Sequence, residues 1–136
     1  LTSGHDPDSI EFSTLGGWIS TNASGMKKNR YGNIEDIVLE ATLVTPKGEL
    51  ETKSVTPRNS TGVQPRSLLF GSEGNFGIIT KAVMKVHLLP EARDYGSLVF
   101  PTFRHGVDYL RALRETGTIP ASIRLVNNTS SGWDRH

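Results

Sequence analysis

The chain has 136 residues, of which 35% are hydrophobic and 21% charged, with a formal net charge of +1. This length fits one domain or part of a larger one, and so small a net charge gives no bulk attraction to nucleic acid or to an anionic bilayer. Cysteine is absent, which excludes disulfides, thiolate metal sites and a cysteine nucleophile; no apolar run reaches bilayer-spanning length, and a start at Leu1 rather than Met gives the expectation of a piece of a longer chain.

Residues 1–12 are polar and turn-forming, with Pro7 between Asp6 and Asp8, and read as loop. Ser13 or Thr14 is placed to cap a short helix running through Trp18 to about Asn22. Gly16 and Gly17 lie inside it, each costing about 1 kcal/mol relative to alanine, which implies that something packs closely against the backbone. Residues 25–35 read as a polar loop. Ile37, Leu39, Ala41 and Leu43 then share one face of a strand, with Val38 and Val44 on the other. Pro46-Lys47-Gly48 turns the chain, and residues 49–54 return as the second strand of a hairpin.

Residues 55–66 read as loop, and Ser67 to Phe70 as one helical turn ended by Gly71. The clearest strand covers 78–88. There Ile78, Thr80, Ala82, Met84, Val86 and Leu88 alternate with Lys81, Lys85 and His87, one face buried and one wet, until Pro90 stops it. A short strand is expected at 96–100. A helix follows from about Phe103 to Thr116, carried by the spacing of Phe103, Val107, Leu110 and Leu113, with Gly117 at its stop. Ser122 to Val126 reads as a last strand, with Arg124 opposite the apolar Ile123 and Leu125. The sum is α+β: a mainly antiparallel sheet with flanking helices. Regular elements are sparse before residue 35, where glycines and small polar residues concentrate and a ligand lies most readily against backbone.

Two stretches carry chemistry. Gly71-Ser-Glu-Gly74-Asn-Phe-Gly77 has the spacing of neither a dinucleotide turn nor a Walker loop. Its glycines either let N–H groups approach an anion or a ring or form a plain turn into the next strand. In Phe12-Ser-Thr-Leu-Gly-Gly-Trp-Ile-Ser-Thr-Asn-Ala-Ser-Gly25, hydroxyls and free amides at a helix start suit a pyrophosphate. A capped helix with glycines for close packing gives the same pattern.

Taken together and in order, Gly16-Gly-Trp-x-Ser-Thr-x-Ala-Ser-Gly25, Tyr31-Gly-Asn-Ile-Glu-Asp36 and Gly71-Ser-Glu-Gly-x-x-Gly-Ile-Ile-Thr80 resemble the FAD-binding domain of the vanillyl-alcohol-oxidase (PCMH) type. Ser3-Gly-His-x-Pro-Asp-Ser-x-Glu-Phe-Ser-Thr14, Gly25-Met-Lys-Lys-Asn29 and Pro120-Ala-Ser-Ile-Arg-Leu125 narrow the resemblance to alkyl-dihydroxyacetonephosphate synthases, over about residues 1–128. Asn75-Phe76 stands where Thr-Leu is commoner, and the tail 129–136 does not resemble the family.

The resemblance implies FAD as cofactor, and no metal. The stretches matching the family's flavin contacts are Asp8, Ser9, Ile10, Glu11, Phe12, Ser13 and Thr14; Thr21, Asn22, Ala23 and Ser24; and Glu73, Gly74, Asn75, Phe76, Gly77, Ile78 and Ile79. It implies that residues 1–91 are the second half of the FAD domain and 92–136 the start of a substrate domain. An earlier pyrophosphate loop and a later catalytic tyrosine and histidine cluster are expected outside the chain. The implied reaction exchanges the acyl group of acyl-dihydroxyacetone phosphate for a long-chain fatty alcohol, through a redox-neutral adduct at flavin N5. His5 is the candidate for proton transfer, and Arg124 the candidate to hold the substrate phosphate with its guanidinium fork. Lys27, Lys28 and Arg30 read as a solvated loop, His87 as structural and His105 as a surface helix residue. The family further implies a peroxisomal, membrane-associated, homodimeric parent. Two other readings stay open: an FAD-linked 2-hydroxy-acid dehydrogenase and a non-catalytic flavin-binding domain.

Overall fold

The computed structural model describes residues 1–52, 60 and 62–127. The expected end of the second strand at 53–54, most of the loop after it and the tail from 128 therefore lie outside the described residues. Thr14 opens α1 (Leu15–Ser20), its hydroxyl accepting from the Gly17 N–H at 3.1 Å, a normal threonine cap. Gly16 has the close neighbour that its place in a helix implies: a Cβ there would stand 3.3 Å from the Ile79 carbonyl oxygen. Bare backbone lets α1 lie directly on the sheet.

The stretch expected as loop at 25–35 instead holds two single helical turns, α2 (Lys28–Tyr31) and α3 (Ile34–Ile37). The Asp36 carboxylate accepts from the Asn33 N–H at 3.0 Å, and Ile34 and Ile37 are fully buried. Two isoleucines are too few to show a helical period, so tertiary burial decides this turn.

Strands β1 (Val38–Thr45), β2 (Gly48–Glu51) and β3 (Ile78–Met84) form an antiparallel sheet in the order β2-β1-β3. The hairpin closes at Thr45 opposite Gly48, where the Thr45 hydroxyl donates to the Gly48 carbonyl at 2.8 Å. Two bulges change the faces expected from simple alternation. Val38 pairs with Met84 and Glu40 with Val83, passing over Leu39. Thr42 pairs with Lys81 and Leu43 with Ile79, passing over Thr80. Ile79, not Ile78, therefore joins Ala82 and Met84 on the core side, and Ile78 is 73% exposed. The core is Ile19, Ile34, Val38, Ala41, Leu43 and Leu69.

β3 ends at Met84, short of the expected 88. Beyond it the Lys85 N–H reaches the Ile37 carbonyl at 2.8 Å, and His87 exchanges backbone bonds with Thr2 at 2.8 and 2.9 Å. The expected turn at 67–70 is a 3-10 turn over Pro65–Leu68. The helix expected from Phe103 is α4 (Phe103–Glu115), capped by the Thr102 hydroxyl accepting from the His105 N–H. The strands expected at 96–100 and 122–126 are irregular backbone. A strand needs a ladder partner, and here one apolar residue of each segment, Phe100 and Leu125, packs on α4 instead. The Phe100 ring lies 5.3 Å from that of Tyr109, and Leu125 sits where a Gly106 Cβ would be.

Candidate functional site

Pro7, Asp8, Phe12, Ser13, Thr14, Gly17, Trp18, Thr21, Ala23 and Ser24 line a cleft of about 460 Å³ along α1. The structure thus brings together Asp8, Phe12, Ser13, Thr14, Thr21, Ala23 and Ser24, seven of the residues singled out in the sequence. Ser9 enters a 3-10 turn (Ile10–Phe12) at φ 55°, and Ser9, Ile10 and Glu11 are exposed and do not line the cleft. Asn22 sits in the turn leaving α1 at φ 52°. Sequence reasoning missed Pro7, Gly17 and Trp18 as lining residues, although Gly17 and Trp18 stand inside the quoted motif.

The hydroxyls are not equivalent. Thr14 accepts from Gly17 and keeps its own proton for a ligand. Thr21 donates to the Gly17 carbonyl at 2.8 Å and keeps lone pairs. Ser24 is exposed. Ser13 is engaged on both sides, accepting from Trp18 Nε1 at 2.7 Å and donating to the Ile10 carbonyl at 3.2 Å. Ser13 therefore fixes the indole.

The second motif meets the first at the far end of α1. The Glu73 N–H donates to the Ser20 carbonyl at 2.8 Å, and a Gly71 Cβ would lie 4.0 Å from Asn22 Cβ. Glu73, Gly74 and Gly77 have φ of 48°, 80° and 156°, and a Gly77 side chain would strike the Val44 carbonyl. Glu73, Gly74, Asn75, Phe76 and Ile78 are exposed, with Gly77 and Ile79 half-buried. None of these seven lines the cleft.

His5 is not the solvated loop residue that its sequence surroundings allow. It is 6% exposed, packs edge-on against Trp18 with ring centroids 5.1 Å apart, and neither ring nitrogen has a hydrogen-bond partner. Burial pushes its pKa below the usual 6.5, while Asp6 and Glu35 pull the other way. A neutral, buried imidazole beside a polar cleft has one donor and one acceptor to give. Lys27, expected in solvent, is instead ion-paired with Asp6 at 2.8 Å; Lys28 and Arg30 are exposed. His87 is half-buried, edge-on to Tyr31 at 5.1 Å. Arg124 is exposed, lies in irregular backbone rather than on a strand, and does not line the cleft.

The FAD binding domain family matches residues 1–54. An alkyldihydroxyacetonephosphate synthase of Caenorhabditis elegans is 49% identical over 128 residues, covering 94% of this chain and 21% of that protein. A solved structure of an alkyldihydroxyacetonephosphate synthase aligns with a TM-score of 0.73 at 45% identity, over 88% of this chain and 21% of the other. The mitochondrial D-lactate dehydrogenase [cytochrome] 1 of Saccharomyces cerevisiae is less similar, 32% identical over 129 residues that cover 89% of this chain and 22% of that protein. The chain spans about a fifth of the length of these curated relatives. The cleft fits FAD on its own chemistry, with a free hydroxyl proton at Thr14 and a buried, unpartnered His5 behind the lining residue Trp18.

Proposed function

Because the chain is a homologue of the alkyldihydroxyacetonephosphate synthases and carries part of an FAD-binding domain, we propose that its whole protein is an FAD-dependent alkylglycerone-phosphate synthase. It exchanges the acyl group of acyl-dihydroxyacetone phosphate for a long-chain fatty alcohol and releases the fatty acid, in the making of ether lipids. The observation that carries this reading is the gathering of Asp8, Phe12, Ser13, Thr14, Thr21, Ala23 and Ser24 on one cleft, in a chain 49% identical to such a synthase.

Bound FAD supplies the electron-rich ring chemistry of the exchange. Asp8 to Thr14 and Thr21 to Ser24 hold one side of the cofactor. Thr14 donates from its hydroxyl, and Thr21 and Ser24 accept. Glu73 to Ile79 form a second contact surface, supported by the exposure of Glu73, Gly74, Asn75, Phe76 and Ile78. His5, as a neutral imidazole, accepts a proton at one ring nitrogen and donates from the other. Arg124 pairs with the substrate phosphate, for which an exposed guanidinium is available. The FAD domain ends near residue 91, where packing of α1 and α3 on the sheet gives way to the separate cluster around α4. A peroxisomal location and a membrane-associated homodimer complete the proposal.

Full-length protein given acyl-dihydroxyacetone phosphate and a labelled long-chain alcohol should form an ether-linked product and free fatty acid, without net reduction of a dye. Dye reduction by a 2-hydroxy acid, with no ether product, contradicts the proposal and favours a dehydrogenase.

A further inference from the structure

His5 stands in a slot with two walls. On one side Trp18 meets it edge-on at 5.1 Å and an interplanar angle of 63°, and the indole is tied to Ser13 at 2.7 Å. On the other side is the buried Gly25, where a Cβ would stand 3.0 Å from His5 Nδ1, 3.1 Å from the Asp6 nitrogen and 3.3 Å from His5 Cε1. Gly25 is not among the positive-φ residues. Its backbone therefore does not require glycine, and the demand for a missing side chain comes from the His5 ring and the adjoining peptide. The neighbouring residues hold the slot shut: the Met26 N–H donates to the Asp6 carbonyl at 2.9 Å, and Lys27 pairs with the Asp6 carboxylate at 2.8 Å. A buried side chain held this closely with both ring nitrogens unpaired is costly unless another molecule supplies the partner.

We propose that Gly25 and Trp18 are positioning residues, which clamp the His5 imidazole immediately behind the Trp18 wall of the cleft, where a shift of the indole on ligand binding opens its buried nitrogens to the bound molecule. This rests on the cleft being the flavin and substrate site. Trp18 both lines that cleft and touches His5, so it transmits the geometry of one to the other. Gly25, Met26 and Lys27, within the stretch that reads as polar loop in the sequence, gain a function as the back of the clamp. The charges acting on the ring are those of Asp6 and Glu35, with Lys27 countering Asp6.

The test uses full-length protein with Gly25→Ala, His5→Ala and the double variant, and with Trp18→Phe, which keeps an aromatic edge but loses the Ser13 tether. Gly25→Ala should lower the thermal midpoint in the parent background and lower it less in the His5→Ala background, where the two ring contacts are gone and only the Asp6 nitrogen remains. Gly25→Ala and Trp18→Phe should each retain FAD, reduce turnover by about tenfold as misplacement of a reacting group does, and move the acid limb of the pH profile upward as the imidazole escapes toward water. Equal thermal losses in both backgrounds, or slower turnover with an unmoved acid limb in both variants, overturn the proposal. Wild-type protein without flavin overturns the underlying site reading, and with it the clamp, before any variant is made.

Discussion

The Glu73 N–H donates to the Ser20 carbonyl at 2.8 Å, tying the glycine-rich loop before β3 to the end of α1. Alongside it, Gly16 lies against the Ile79 carbonyl, so helix and strand touch through backbone. Gly16→Val should therefore destabilise by about 1–3 kcal/mol, the usual cost of overpacking. Gly96→Ala meets open space and should stay within about 0.5 kcal/mol. Denaturant midpoints of the two variants check this; equal values would show that α1 does not rest on β3.

Gly74 and Gly77 should differ in the same way. Both have positive φ, 80° and 156°, but only a Gly77 side chain meets the Val44 carbonyl, while Gly74 faces open space. Gly74→Ala should cost about 1–2 kcal/mol for the left-handed backbone. Gly77→Ala should cost more than that, because a backbone oxygen cannot move aside without breaking the sheet. The same unfolding measurement ranks them.

Thr14 has two duties that one series separates. Thr14→Ala removes the cap of α1 and should cost about 1 kcal/mol, and it should also lower FAD occupancy. Thr14→Ser keeps both the cap oxygen and the proton, so stability and flavin content should remain close to the parent. Loss of flavin in Thr14→Ser would show that the methyl group, not the hydroxyl, matters.

His5 gives stability a pH dependence of known sign. Its folded pKa lies below the 6.5 of the unfolded chain because of burial, so the unfolded state binds the proton more tightly. Stability then rises with pH across that window. Its share is fully present above about pH 6.5 and falls as the pH drops toward the folded value. His5→Gln should flatten this part of the curve of unfolding midpoint against pH, and an unchanged slope would place the titrating group elsewhere.

Arg124 is exposed, so Arg124→Lys should leave stability within about 0.5 kcal/mol while raising KM for the phosphate substrate through loss of the bidentate fork. Unchanged turnover and flavin content would remove Arg124 from the site.

The parts of the fold legible in the sequence were those with local signals. Thr14 and Thr102 cap the helices expected after them, and Pro46-Lys47 turns the hairpin between β1 and β2. What escaped depends on distant partners. The bulges at Leu39 and Thr80 shift the alternation by one residue, which turns Ile78 out and Ile79 in; no local pattern marks that change. Ile34 and Ile37 form a buried turn because the core receives them. The segments at 96–100 and 122–126 have strand composition, but each meets α4 through one side chain, Phe100 and Leu125. For the cleft, the hydroxyl and glycine stretch was visible as a motif. The burial of His5 and the Lys27 ion pair were not, because the contacts that create them join residues 5–6 to 18 and 25–27.

The most direct test of the account is the FAD content of full-length protein carrying Ser24→Trp, beside the wild type. Ser24 is exposed and lines the cleft, so the indole should fill the groove without disturbing the core. The wild type should carry stoichiometric FAD, and Ser24→Trp should fold with the thermal transition of flavin-stripped wild type but hold little flavin. Full FAD occupancy in folded Ser24→Trp protein would contradict the assignment of this cleft to the cofactor.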